Sequence, residues 1–334
     1  MLKPVVAILC LVYNHEKYLR DCLNGFVMQK TDFPFVAIVH DDASTDNSAE
    51  IIKEYAAKYP DIIKPIFETE NQYNKNDGSL NRILYEESSK FDPDYIAFCE
   101  GDDYWTNPNK LQIQVETLKT YPECSICTAK VRLIDKEGNN TGDYIPSAKL
   151  NFKERTNLDD FMKIQIYYGE WSFHMSSIMI VPQVFKKYLE LRKSIFNTMP
   201  YGDLPLLFSA FNLGEGIFLN LETGIYRTLS GGYSSKMLKN PYRNIENEKG
   251  LINSMINLDK YTKGKYNKFI KIRILRGRFK IEKLSKNFNK LLSWKFLPLY
   301  KLWGFKNSFF ILLNLFAPSV YWELLKFKQN LKSK

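Results

Sequence analysis

Three carboxylates fall within four residues at Glu100-Gly101-Asp102-Asp103, after the apolar run Tyr95 to Cys99 and before Tyr104-Trp105. Like charges packed that closely repel one another unless a cation neutralises them, and an all-oxygen donor set suits a hard divalent ion, Mg2+ or Mn2+. A solvated acidic turn is the plain alternative, but it explains neither the apolar run in front nor the aromatics behind. A second acidic group, Asp41-Asp42 with Asp46, follows the apolar run Phe35 to Val39. Carboxylates there can accept hydrogen bonds from a nucleobase N–H or from ribose hydroxyls, while one of Ser44, Thr45 or Asp46 caps the helix behind them. Neither G-x-x-x-x-G-K-[ST] nor G-x-G-x-x-G occurs, so a nucleoside diphosphate would be held mainly through a metal on the acidic residues.

The elements that must position these groups can be read from periodicity. Val5 to Tyr13 is a continuous apolar run, the form of a strand buried on both faces. His15 to Met28 has helical spacing, with Tyr18, Leu19, Cys22 and Phe26 on one side. Strands at Phe35 to Val39, Ile62 to Phe67 and Tyr95 to Cys99 then alternate with helices at Ser48 to Tyr59, Gly78 to Lys90 and Asn109 to Thr120. Fourfold alternation predicts an α/β fold with a mostly parallel, doubly wound sheet, whose ligands sit beyond the carboxyl ends of the strands. Candidate residues should therefore follow Val12, Val39 and Phe98. Further on, Ser125 to Ile134, Ser176 to Val181 and Ile217 to Tyr226 read as strands and Pro205 to Leu213 as a helix, with lysine-rich helices from about Asn247.

The chain has 334 residues, 45% of them hydrophobic, which excludes a mainly disordered protein. Its formal charge of +10 hides a division. Residues 1–259 hold 28 basic and 35 acidic side chains, and residues 260–334 hold 19 and 2. Five cysteines, Cys10, Cys22, Cys99, Cys124 and Cys127, form no regular framework and read as reduced, buried thiols of a cytosolic protein. Met1-Leu2-Lys3-Pro4 runs straight into a strand without a basic-then-apolar leader, so secretion is not expected.

Leu11-Val12-Tyr13-Asn14-His15-Glu16-Lys17-Tyr18-Leu19, Asp41-Asp42-Ala43-Ser44-Thr45-Asp46 and Glu100-Gly101-Asp102-Asp103-Tyr104-Trp105 resemble, in order and at matching strand ends, the motifs of glycosyltransferase family 2. The resemblance covers Pro4 to Ser235. It implies a Rossmann-like GT-A fold, a nucleotide-diphosphate sugar donor (UDP- or dTDP-linked), a divalent metal, and inversion at the anomeric carbon. Tyr13 and Asp42 then match base-contacting positions, with Asp41 beside them and Glu16 near the base or ribose. The family's Asp-x-Asp is represented by Glu100-Gly101-Asp102, followed by Asp103, leaving two candidates for the metal-ligating aspartate. Asn81 and Arg82 fall where donor contacts are frequent. Tyr201-Gly202-Asp203-Leu204-Pro205-Leu206 resembles the segment that supplies the general base, Asp203; as a lone aspartate before a helix its alternative is an N-cap. Tyr226 to Ser234 resembles the loop that folds over the donor diphosphate, where Arg227 would meet phosphate oxygens, although Leu229 stands where many relatives have histidine.

Glu170-Trp171-Ser172-Phe173-His174 offers Trp171 and His174 as acceptor contacts, since aromatic faces stack on sugar rings, with core packing as the alternative. The expected organisation is a catalytic domain over residues 1–245 and a basic, aromatic-rich helical extension over 246–334. Lysines interleaved with Trp, Tyr and Phe suit the anionic inner face of a cell membrane, which is consistent with a lipid-linked acceptor, and the resemblance implies extension of a glycan in surface polysaccharide synthesis. A basic aromatic face also suits nucleic acid, but that would explain neither the acidic motifs nor the apolar stretch near the end, so no nucleic-acid partner is expected. Packing of the tail on the catalytic domain or on a second subunit is a third reading. The rival function is a non-catalytic nucleotide-sugar or glycan-binding protein on the same fold.

Overall fold

The computed structural model describes residues 3–75, 77–147, 153–170, 172–228 and 240–321. The chain divides into two compact units, Met1–Asn197 with Tyr201–Gly232, and Thr198–Pro200 with Tyr233–Lys334.

In the first unit the alternation of strand and helix builds a single sheet in the order β3-β2-β1-β4-β9-β6-β10-β5. Its first half comprises β1 (Val6–Val12), β2 (Phe35–Asp41), β3 (Ile63–Phe67) and β4 (Tyr95–Glu100), all parallel. All of β2 and all but Leu11 of β1 are buried, because helices cover both faces of a parallel sheet. Those helices include α1 (Leu19–Val27), α2 (Ser48–Lys58), the single turn α3 (Gln72–Lys75), α4 (Ser79–Ser89) and α5 (Lys110–Thr120). Register pairs Val12 with Asp41 and Leu11 with Glu100, so the two acidic motifs emerge side by side at the same sheet edge.

Helix α1 begins four residues later than His15, because Asn14 takes a positive φ of 57° and Tyr18 N–H closes a turn onto the His15 carbonyl. The second half of the sheet holds β5 (Tyr104–Trp105), β6 (Cys124–Ile134), β7 (Asn140–Ile145), β8 (Arg155–Thr156), β9 (Met179–Ile180) and β10 (Glu215–Arg227). Only two residues of the strand expected over Ser176 to Val181 pair, as β9, antiparallel to both β4 and β6. Met175–Ser177 instead coils into one turn, with Ser177 N–H bonded to the His174 carbonyl. Short helix α6 (Leu158–Phe161), then α7 (Pro182–Ser194) and α8 (Asp203–Leu213), complete the unit.

The second unit is helical. Asn240 caps the helix Pro241–Tyr261 by accepting from Arg243 N–H, and Pro241 sits at its first turn, where a missing N–H costs nothing. The helix Asn267–Leu284 lies against it around Glu248, which is 4% exposed and paired with Lys280 at 2.8 Å and Arg273 at 3.5 Å. Gly277 permits that approach, since a Cβ there would come within 3.2 Å of Glu248 Oε2. Phe279, Leu291, Phe296 and Leu299 form the small core beneath the last described long helix, Leu297–Phe316. Among the described residues no helix is long and apolar enough to cross a membrane.

Candidate active site

The loops after β1 and β2 are laced together. Asn14 N–H donates to Ser44 Oγ (2.9 Å), and Asn14 Oδ1 accepts from Thr45 N–H (2.7 Å). His15 N–H reaches Ser48 Oγ and Glu16 N–H reaches Asp46 Oδ2. Both loops hold a non-glycine residue at positive φ, Asn14 at 57° and Ala43 at 60°. For alanine that conformation is costly, so the hydrogen-bond mesh over-determines the backbone where the acidic motif begins.

Within this mesh Asp42 is 3% exposed, and its two oxygens accept from Gln72 N–H (2.6 Å) and Tyr73 N–H (3.1 Å) at the start of α3. Glu16 likewise turns to α2, where one oxygen accepts from Asn47 N–H and from its side-chain amide. Asp41 is also 3% exposed; one oxygen accepts weakly from Ser44 N–H (3.3 Å), and Oδ1 is buried without a hydrogen-bond partner. Tyr13 is exposed beside them.

The loop after β4 is built differently. Gly101 N–H donates to the Leu11 carbonyl, and a Cβ on Gly101 would lie 2.7 Å from His15 Nδ1, so only glycine lets the turn close against β1. Carboxylate oxygens of Glu100, Asp102 and Asp103 approach within 4.8 Å of one another. Asp103 is fully buried, and both its oxygens are engaged, one with the Ser176 hydroxyl and one with Arg227 N–H at 3.1 Å. Burial, then the charge of Asp102, pushes its carboxyl well above the ordinary range while those two donors pull it down. Asp102 keeps 21% of its side chain in contact with solvent, with His15 Nε2 4.0 Å away. Burial holds the His15 imidazole below its usual pKa despite the pull of Asp102, Asp46 and Asp41. Solvent reaches Glu100 too, yet partial loss of hydration, then the charges of Asp102, Asp103 and Asp203, raise it well above its normal value.

Asp203 is the first residue of α8, Gly202 occupies the cap position, and no side chain caps this helix. Asp203 is partly buried; loss of hydration pushes its pKa up to about 6, while its own backbone N–H pulls it down. Its charge is felt by Glu100 and by Tyr226, whose phenol burial and then the four carboxylates push up to about 12. Asp203 therefore lies within electrostatic reach of the acidic cluster.

Arg227 reaches the cluster through its backbone. Its guanidinium stacks between Tyr18 (5.1 Å) and Tyr104 (4.8 Å) and pairs with Asp21 of α1. His174 is 5% exposed, accepts from Ser176 N–H through Nδ1, and is pushed down to about 3 by burial, so it is a neutral prop beneath Asp103. Asn81 and Arg82 lie on α4, where exposed Arg82 points to the Asp77 carbonyl at 3.5 Å. Trp171 and Leu229 lie outside the described residues.

Sequence reasoning passed over the supports. Ser176 both donates to Asp103 and accepts from Glu100 N–H at 3.4 Å. Trp105 Nε1–H holds the Ser176 carbonyl at 2.7 Å, and Lys110, fully buried, sits 4.0 Å from the Trp105 ring while donating to Gln114 at 2.6 Å. Gln114 in turn donates to the Ser177 carbonyl at 2.8 Å. A lysine and a glutamine one turn apart read as a solvated helix face; nothing in the local pattern marks them as buried.

Residues 8–181, just over half of the chain, match the sequence profile of Glycosyl transferase family 2. An uncharacterized protein of Mycobacterium tuberculosis is 40% identical over 141 residues, which are 42% of this chain, and the chain spans only 39% of that relative's length. The solved structure of S. aureus TarS 1–349 in complex with UDP-GlcNAc is similar with a TM-score of 0.59 at 15% identity, over 93% of this chain and 81% of that one. Mannosyltransferase PcManGT from Pyrobaculum calidifontis, in complex with GDP-Man and Mn2+, gives 0.53 at 13% identity, over 96% and 84%. At such identities the likeness is one of fold, the GT-A arrangement of a central sheet flanked by helices.

Proposed function

This chain belongs to glycosyl transferase family 2, and from that premise we propose that it moves a sugar, with inversion, from a UDP- or dTDP-linked donor to a hydroxyl of a glycan or lipid-linked acceptor. The observation that carries the reading is Asp203, partly buried at the start of a helix it does not cap, within electrostatic reach of three crowded carboxylates at the carboxyl end of parallel strand β4.

The donor set is all carboxylate oxygen, which fits Mn2+ or Mg2+. Asp102 is the better ligand of the two aspartates, because Asp103 already has both oxygens in use, and Glu100 is the second ligand. Such an ion supplies positive charge beside the leaving diphosphate. Complexes of similar folds with UDP-GlcNAc and with GDP-Man and Mn2+ support a nucleotide-sugar donor. The exposed Tyr13 ring offers a face for the base, and the unsatisfied Asp41 Oδ1 beside it can accept from a base N–H or a ribose hydroxyl.

Asp203, ionised, accepts the proton of the acceptor hydroxyl. As that oxygen forms its bond to the anomeric carbon, the bond from that carbon to the diphosphate oxygen breaks, and the electron pair leaves with the diphosphate. One displacement inverts the centre. Asp103 orients rather than reacts: it ties the loop of Asp102 to the turn at Ser176 and the end of β10 at Arg227.

The test is a thermal-shift and turnover screen of the purified full chain against UDP-, dTDP- and GDP-sugars, with and without Mn2+, followed by NMR of the anomeric configuration of any product. Stabilisation by one nucleotide class in Mn2+ and an inverted product are expected. No shift with any of them, or a product of retained configuration, would sink the reading.

A further inference from the structure

The helical unit carries an apolar face that its own core does not use. The helix Leu297–Phe316 breaks at Gly304, whose φ of 77° and ψ of 160° lie outside the helical region. Phe305 opens the second half and is 88% exposed. Four, seven and eleven residues further on stand Phe309, Leu312 and Phe316, which at 3.6 residues per turn fall in one narrow stripe. Phe309 and Phe316 are 49% and 46% exposed. Another side of the same helix is turned inward, where Ser308 is buried and Ile311 and Leu315 pack on Phe279, Leu291, Phe296 and Leu299.

The charge around this stripe is of one sign. Lys301 and Lys306 are exposed on the same helix. The Phe288 ring lies 6.0 Å from that of Phe316, which brings the preceding segment, with exposed Lys286, Lys290 and Lys295, to the end of the stripe. That segment also exposes Trp294, at 84%. Between residues 260 and 321 there are 15 lysines and arginines and a single acid, Glu282.

We infer that this face docks on an anionic lipid bilayer, with Phe305, Phe309, Leu312 and Phe316 sunk at the boundary of headgroups and acyl chains and the lysines over lipid phosphates. A second copy is a poor occupant, because facing stripes would bring two sets of lysines together. Nucleic acid would match the lysines but leave the row of apolar side chains without a partner. No helix of the described residues spans a membrane, so the contact is one of lying on the surface. The inference does not rest on the reaction proposed above.

The full chain is sedimented with vesicles of phosphatidylcholine containing about one third phosphatidylglycerol, and with pure phosphatidylcholine, at low and high salt. Binding to the anionic vesicles alone, with a blue shift of tryptophan fluorescence, is expected. F305S/F309S should weaken it about tenfold or more, since both rings lose their burial in lipid. K301E/K306E should weaken it further and reduce its salt dependence. All these positions are exposed, so circular dichroism and melting temperature should match the parent. Equal binding by F305S/F309S overturns the inference. So does a parent chain that ignores vesicles while forming a dimer that F305S/F309S disperses, or one that binds a short RNA and no vesicle.

Discussion

Two acidic loops emerge at the same edge of the sheet, and their carboxylates live under opposite regimes. After β2, Asp42 is buried but receives two backbone N–H groups, so its charge is balanced by the protein itself. After β4, Glu100 and Asp102 face solvent beside a buried Asp103, and the charge of Asp102 adds to loss of hydration in raising the proton affinity of Glu100 and Asp103. In the first loop Asp42 is satisfied by the protein and only Asp41 Oδ1 is left open; in the second, three carboxylates crowd together and a cation or a proton would relieve them. Number and direction of nearby donors, rather than the number of acids, separate a carboxylate satisfied within the fold from one left crowded.

The comparison is sharpened first at the group that completes the second loop. Asp203→Asn should lower turnover about 1000-fold while donor affinity, measured by calorimetry, stays within about threefold. The pH dependence follows from its raised pKa: the base must be ionised, so kcat/KM should rise as pH climbs through about 6. Stability runs the other way. The native state holds this proton more tightly than the unfolded chain, so the contribution is full below the ordinary value of 3.8 and lost as pH rises through about 6. Asp203→Asn should therefore melt slightly higher than the parent at neutral pH and lose that advantage in acid. Full turnover in Asp203→Asn would remove it from the mechanism.

Asp102→Ala comes next, with loss of about 10- to 100-fold in Mn2+-dependent donor affinity, little change without metal, and an unchanged or higher melting temperature because a crowding charge is gone. Parent-like affinity in Mn2+ would reassign the ligand to Asp103. Asp42→Ala should show the opposite pattern: a cost of about 1–3 kcal/mol in urea unfolding, from two N–H groups left without an acceptor, and no change in Mn2+ affinity. If it lost metal binding instead, the contrast between the loops would fail. The smallest effect is expected for Glu16→Gln, about 0.5–1 kcal/mol, since it weakens only a charge-assisted bond at the start of α2.

Strands β1, β2 and β4 were legible because a strand buried on both faces is apolar throughout, as they are up to the polar residues at the ends of β2 and β4. Helix α1 was overrun at its start because residues 15–18 share its periodicity while serving as loop. The Ser176 to Val181 strand was overlong for a related reason: apolar residues predict burial, and burial does not distinguish a strand from one coiled turn. Among the candidate site residues, the Glu100–Asp103 cluster stood out by type and placement, whereas Asp203 was marked only by the family resemblance. Lys110, Gln114 and Ser176 were not, because each reads as an ordinary polar residue until the fold buries it.

By itself, the sequence determined the alternation of strands and helices from β1 to β4, the strand ends at which carboxylates stand, and the division into an acidic part and a basic one, since these follow from local periodicity and counted charge. Only the tertiary structure decided which carboxylates are already satisfied. Hydrogen-bond donors for Asp42 come from residues 72 and 73, those for Asp103 from residues 176 and 227, and Arg227 finds Asp21 at the far end of the chain. Such partners lie tens to hundreds of positions away, where no periodicity reaches, and they meet because the parallel strands end, and antiparallel β9 begins, at one edge of the sheet.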